Sequence, residues 1–205
     1  MHDQHMANRV TVRITGEHYT DIQLWHTATY LLDLGVRRRK GSFHPLLAAS
    51  VFAFFAFEAF LNEMGRQLDP DVWKRERDVF GAGTYRGTLG KLKYLANKTG
   101  FVYRAGVRPY QTVRALASVR DALAHGRTEV FDARAAVDRA DSVHPIPKLR
   151  KWGEVSFAKP AVADVEAIAD GLMAAAKASC GEWAAGYRSS AFCGILGTRS
   201  TTLDE

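Results

Sequence analysis

Leu46 to Leu61 reads Leu-Leu-Ala-Ala-Ser-Val-Phe-Ala-Phe-Phe-Ala-Phe-Glu-Ala-Phe-Leu, an apolar run interrupted only by Ser50 and Glu58. A helix that is apolar nearly all round has no face to give to water, so it belongs at the centre of a bundle. With its flanks the run predicts a helix from about Phe43 to Gln67. It falls short of the roughly 20 apolar residues that span a bilayer, so it reads as a buried helix and no membrane partner is expected. Ser50, Phe54 and Glu58 recur at four-residue intervals on one stripe. The Glu58 carboxylate therefore has to find a cation or a hydrogen-bond donor. Arg120 is one partner, which would make Glu58 a positioning group for a site; a buried ion pair with another arginine is the structural alternative.

Such a helix needs partners with apolar faces. Ile22, Trp25, Thr29, Leu32 and Val36 follow a three-and-four spacing and predict an amphipathic helix over 19–36, followed by the basic run Arg37-Arg38-Arg39-Lys40. Val113, Leu116, Ala117 and Leu123 mark a helix over 109–125 opened by Pro109. Val162, Val165, Ile168, Ala169, Leu172, Met173 and Ala176 mark another over 160–185, opened by Pro160. None of these faces can be buried alone, so the expected fold is all-α: an antiparallel four-helix bundle with additional short helices. Asp69 followed by Pro70 predicts a capped helix running to Phe80. Leu89, Leu92, Leu95 and Ala96 predict one that Gly100 ends. Gly81, Gly83, Gly87 and Gly90 match no phosphate-loop pattern and read as a flexible link. After Gly126, Thr128 to Phe131 reads as a strand with Trp152 to Phe157 pairing back, a minor β-hairpin. Residues 9–15 alternate like a short strand. The expected organisation is an arm over 1–17, a helical domain over 18–187 and a disordered tail over 188–205.

The chain has 205 residues, 47% hydrophobic, enough to bury one core without metal or disulfide staples. Cys180 and Cys193 match no zinc spacing and read as reduced thiols of a cytoplasmic protein. His2, His5, His18, His26, His44 and His144 are scattered without a ligand set, so neither a metal nor another cofactor is expected. The net charge is +6, and its position matters more than its size. Between Arg86 and Arg127 nine basic residues face the single acid Asp121, giving +8 there and −2 for the remainder of the chain. Such a concentration suits a polyphosphate partner; a solvated basic face is the plain alternative.

Within that basic segment, Arg120-Asp121-Ala122-Leu123-Ala124-His125-Gly126 closes a helical pattern. Asp121 and His125 are one turn apart on one face, and Arg120 lies about 140° around from His125 but has a long side chain. A helix C-terminus and a carboxylate one turn back both favour a protonated imidazole, which suits a general acid. Arg-x4-His also occurs at Arg13, Arg39 and Arg139. Only the copy at 120–125 has an acid after the arginine, an apolar helix leading into it and a glycine after the histidine.

On these residues the chain resembles the HEPN superfamily (higher eukaryotes and prokaryotes nucleotide-binding), whose motif is Arg, four to six residues, then His. Phe57-Glu58-Ala59-Phe60-Leu61-Asn62-Glu63 and Lys91-Leu92-Lys93-Tyr94-Leu95 are similar to segments of stand-alone HEPN proteins, and the resemblance covers roughly residues 19–185. It implies a helical bundle and a metal-independent endoribonuclease, in a toxin or defence setting with an antitoxin as partner. His125 and Arg120 would be catalytic and Asp121 would orient the imidazole. Lys91, Lys93, Arg114 and Arg127 would hold RNA phosphates. Active members of the family commonly dimerise with two motifs facing a shared cleft, so a homodimer with a composite site is expected. The chain departs from the family's modified toxins, which carry Tyr two residues after the motif His, where Arg127 stands. The rival reading is a non-catalytic module that binds RNA, a nucleotide or a protein.

Overall fold

The computed structural model describes residues 12–16, 19–38, 40–126, 151–180, 191–192 and 198–202. The fold is all-α in class. Its elements are a strand β1 (Val12–Gly16), helices α1 (Thr20–Arg37), α2 (Phe43–Leu68), α3 (Pro70–Lys74), α4 (Glu76–Phe80), α5 (Gly87–Thr99), α6 (Tyr110–His125) and α7 (Val155–Cys180), and a strand β2 (Thr198–Thr202). Single 3-10 turns at Gly83–Tyr85 and Lys151–Gly153 precede α5 and α7. The expected tract over 128–150 lies outside the described residues, as do Arg39, Arg127 and Cys193.

Helix α2 is the axis of the molecule, in contact with α1, α5, α6 and α7. Phe54, Phe57 and Leu61 are wholly buried, and Leu92 and Leu95 of α5, Val113 and Leu116 of α6 and Val165, Ile168 and Leu172 of α7 close around them. By length and composition α2 would also cross a membrane, yet 56% of its most apolar window is buried inside the protein. The core helix of a globular fold has the same composition.

Several boundaries differ from expectation, each for a local reason. The buried face of α1 runs through Ile22, Trp25, Ala28 and Gly35, while Val36 is exposed. A 3.6-residue period drifts off a fixed spacing, and at Gly35 the Leu46 side chain lies where a Cβ would stand, which brings α1 and α2 together. The helix expected from Pro70 to Phe80 breaks at Arg75. Asp69 precedes it without a side-chain capping bond, because its carboxylate reaches Tyr94 and Lys98 on α5 instead. Trp152 to Phe157 is not a strand: a 3-10 turn and the first turn of α7 occupy it, with Pro160 inside the helix. The glycine-rich link is shorter than expected, since Gly87 opens α5 and Gly90 lies within it. The Tyr85 carbonyl oxygen sits 1.8 Å from where a Gly90 Cβ would be, so only glycine lets that turn close on the helix.

β1 pairs antiparallel with β2, Val12 opposite Thr202 and Gly16 opposite Thr198, at the far end of the chain. In the segment expected to be a tail, Ala191 and Phe192 are buried and Phe192 stacks on Trp25 with ring centroids 4.3 Å apart. The Ala191 N–H donates to Asp170 Oδ1 at 2.7 Å, so α7 as well as α1 receives this segment.

Candidate functional site

The last turn of α6 carries the Arg-x4-His motif. Val113, Leu116 and Val119 are buried and seat the helix on the core, which leaves Arg114, Asp121 and His125 on exposed positions. Gly126 ends the helix with φ 54°, a left-handed conformation that costs glycine little, and its N–H bonds the Leu123 carbonyl. His125 is thereby the terminal helical residue, with its imidazole in solvent.

Arg120 occupies the edge between surface and core. Its guanidinium lies 5.6 Å from the Phe54 ring centroid, and Nη1 donates to Asp121 Oδ1 at 2.7 Å. The expected pairing of Asp121 with His125 is absent among the described residues; the adjacent arginine takes the carboxylate. Asp121 is 56% exposed and the Arg120 side chain 35%, so the pair is open to an incoming anion. A guanidinium held between an aromatic face and a carboxylate keeps donor N–H groups for a phosphate, because it has five.

Three contacts follow one stripe of α2 at four-residue steps: Arg120 over Phe54, Thr88 at Glu58 and Lys91 at Asn62. Glu58 is half-buried and accepts from the Thr88 hydroxyl at 2.9 Å. Neither Arg120 nor another arginine pairs with it among the described residues, which corrects both alternatives raised above. The Glu58 backbone nonetheless stands one turn from the seat of Arg120.

Lys91 is not placed to hold a phosphate. Its side chain is 6% exposed, and its ammonium donates to Asn62 Oδ1 at 2.7 Å and to Glu76 Oε1. Along α2 it is bound two turns, about 12 Å, from Arg120. Lys93 is half-buried, with Nζ 5.8 Å from the Tyr85 ring centroid. Arg114 is exposed and borders a shallow depression of about 550 Å³ with Gln111 and Ser118, some three turns of α6 before His125. Arg127 lies outside the described residues. The sequence cluster of positive charge is thus thinner in space. Lys91, Lys98, Arg108 and Arg120 are committed to Glu76, Asp69, Asp164 and Asp121, while Arg86, Arg104 and Arg114 stand in solvent.

Phe54, Thr88 and Tyr85 are the residues beneath and beside this site that sequence reasoning missed. The four-residue stripe was the signal for Phe54; nothing local marks Thr88. Among the described residues no group of three His, Cys, Asp or Glu side chains is gathered so as to hold a metal ion. The arrangement therefore offers one exposed imidazole, one anchored guanidinium and one carboxylate at a helix end. No protein-family model, no curated protein and no solved structure matches this chain.

Proposed function

We propose that the protein is a metal-independent endoribonuclease of HEPN type acting through the end of α6. The observation that carries this reading is the exposed His125 one turn beyond the Arg120–Asp121 pair, on a helix terminus that solvent and a polyanion can reach. In this chemistry the ribose 2′-oxygen attacks the adjacent phosphorus and the bond to the 5′-oxygen breaks, leaving a 2′,3′-cyclic phosphate and a 5′-hydroxyl. A base accepts the 2′-hydroxyl proton and an acid supplies one to the departing 5′-oxygen. Arg120 stabilises the charge gathering on the phosphorus oxygens, and Asp121 fixes the guanidinium rather than the imidazole. One imidazole serves one of the two proton transfers at a time, so a homodimer that brings two copies of His125 to a shared cleft completes the machinery.

The test is incubation of purified protein with mixed cellular RNA in EDTA, with new ends mapped. Cyclic or 3′-phosphate ends are expected, reduced by about two to four powers of ten in folded His125→Ala and at least about a hundredfold in Arg120→Ala. Arg120's seat on Phe54 favours a second reading, a non-catalytic module that grips RNA. Intact RNA with salt-sensitive binding lost in Arg120→Ala would select it.

A further inference from the structure

A second constellation lies two turns along α2 from the Arg120 seat. Lys91 is buried, and an ammonium only donates, so both groups bound to it must turn oxygens inward. Asn62 gives Oδ1 to Lys91 and therefore presents its N–H2 group elsewhere. Glu76 gives Oε1 and therefore keeps Oε2 as an acceptor. Lys91 thus fixes which side of each group is offered. Asn62 and Glu76 both line a cavity of about 790 Å³ between the start of α1, the second half of α2 and α3, within the size range of small-molecule sites. Trp73 and Tyr19 form part of its wall. The Trp73 indole N–H is buried, and none of the described residues accepts it, which is uncommon for a buried donor.

A phosphate suits this cavity poorly. Asp21, Glu63 and Glu76 line it, and the two cations at its edge are already engaged, Arg66 with Glu63 and Lys74 with Asp71. A flat, uncharged heterocycle with a carbonyl beside N–H groups suits it well. Such an edge accepts from Asn62 and donates to Glu76, and its faces are apolar like the aromatic wall. Among the four bases guanine offers most: O6 accepts from Asn62 while N1–H and the N2 amino group both converge on Oε2, the oxygen of Glu76 that Lys91 leaves open and that has two lone pairs, where adenine, cytosine and uracil offer it a single group. We propose that this cavity binds a guanine base, either of a free nucleoside or nucleotide or of an RNA strand, read by Asn62 and Glu76 with Lys91 holding both in register. The proposal stands independently of the nuclease reading.

The experiment titrates the full chain with guanosine, adenosine, cytidine and uridine by calorimetry, and with U-rich oligoribonucleotides carrying one guanine or one adenine. Guanosine is expected to bind at least about tenfold tighter than the other three. Asn62→Asp keeps an oxygen for Lys91 but removes the donor, and should weaken guanosine at least about tenfold with the thermal midpoint unchanged. Glu76→Gln should erase the preference for guanosine, and His125→Ala should leave guanosine binding intact even where RNA cleavage is lost. Tighter binding of the guanine-bearing oligonucleotide than of guanosine assigns the base to RNA; binding of the nucleoside alone assigns it to a free ligand. Absence of saturable guanosine binding, equal response to all four nucleosides, or an unchanged affinity in Asn62→Asp would overturn the proposal.

Discussion

Lys91 and Lys93 stand two residues apart on α5 and serve different ends, because positions two apart on a helix point to different faces. Lys91 follows the buried side and ties α5 to α2 and α4; Lys93 lies beside Tyr85 at the surface. Replacing Lys91 by Met leaves Glu76 and Asn62 without their shared donor. This is expected to lower unfolding free energy by about 1–3 kcal/mol in urea titrations. Lys93→Met should cost no more than about 1 kcal/mol. An equal effect of the two substitutions would show that burial of the Lys91 ammonium does not stabilise the fold. The Arg-x4-His spacing and the helix ending at Gly126 were legible in the sequence. That Arg120 would take the Asp121 carboxylate was not, since the choice depends on where the Phe54 ring holds the guanidinium.

At the scale of elements, α3 is joined to α5 by one carboxylate. Asp69 accepts from Lys98 Nζ and from Tyr94 Oη at 2.6 Å, and those two hydrogen bonds, Lys98's first, hold its pKa below the ordinary 3.8. Burial, and then the bond to Asp69, push the Tyr94 hydroxyl up to about 12. The signs are opposite. A depressed carboxyl stabilises the fold above its unfolded pKa, and that stability is lost as pH falls below 3.8 toward the folded value. A raised phenol stabilises it below pH 10, and that stability is lost as pH climbs from 10 to about 12. Because the Asp69 and Lys98 side chains are 20% and 34% exposed, each limb should amount to on the order of 1 kcal/mol. Urea titrations across pH should show the acid limb flattened in Asp69→Asn and the alkaline limb flattened in Tyr94→Phe; limbs as steep as in the parent protein would refute the link. The sequence predicted Asp69 as a helix cap because Asp before Pro is a common start signal. It could not show that Tyr94 and Lys98, one turn apart on α5, would draw the carboxylate away. The short stretch Trp152 to Phe157 failed for another reason, since six residues cannot distinguish a period of 2 from one of 3.6.

Across the whole molecule, segments near the two ends of the chain find partners far away in sequence. β1 meets β2, and Phe192 enters between Trp25 of α1 and Phe60 of α2, 4.3 Å and 5.6 Å from their ring centroids. The class of fold and the central place of α2 were legible because they follow from composition and period. The docking of Phe192 was not, because it sits in a Gly-, Ser- and Thr-rich segment and its partners lie far away in sequence. Yet Phe192 is 4% exposed and stacks on Trp25 at an interplanar angle of 12°. Removing a buried aromatic ring costs about 3–5 kcal/mol, a large share of the roughly 5–15 kcal/mol by which a domain is stable. Phe192→Ala should therefore lower the urea midpoint sharply and change the fluorescence of Trp25, and truncation after Cys180, which also removes Trp183, should lower the midpoint at least as much. The substitution creates no new contact and leaves the Ala191–Asp170 bond in place, so the loss measures what the ring gains against Trp25 and Phe60 together. A change below about 0.5 kcal/mol would mean that the segment after α7 rests on the core without securing it, and the fold would then be complete at α7.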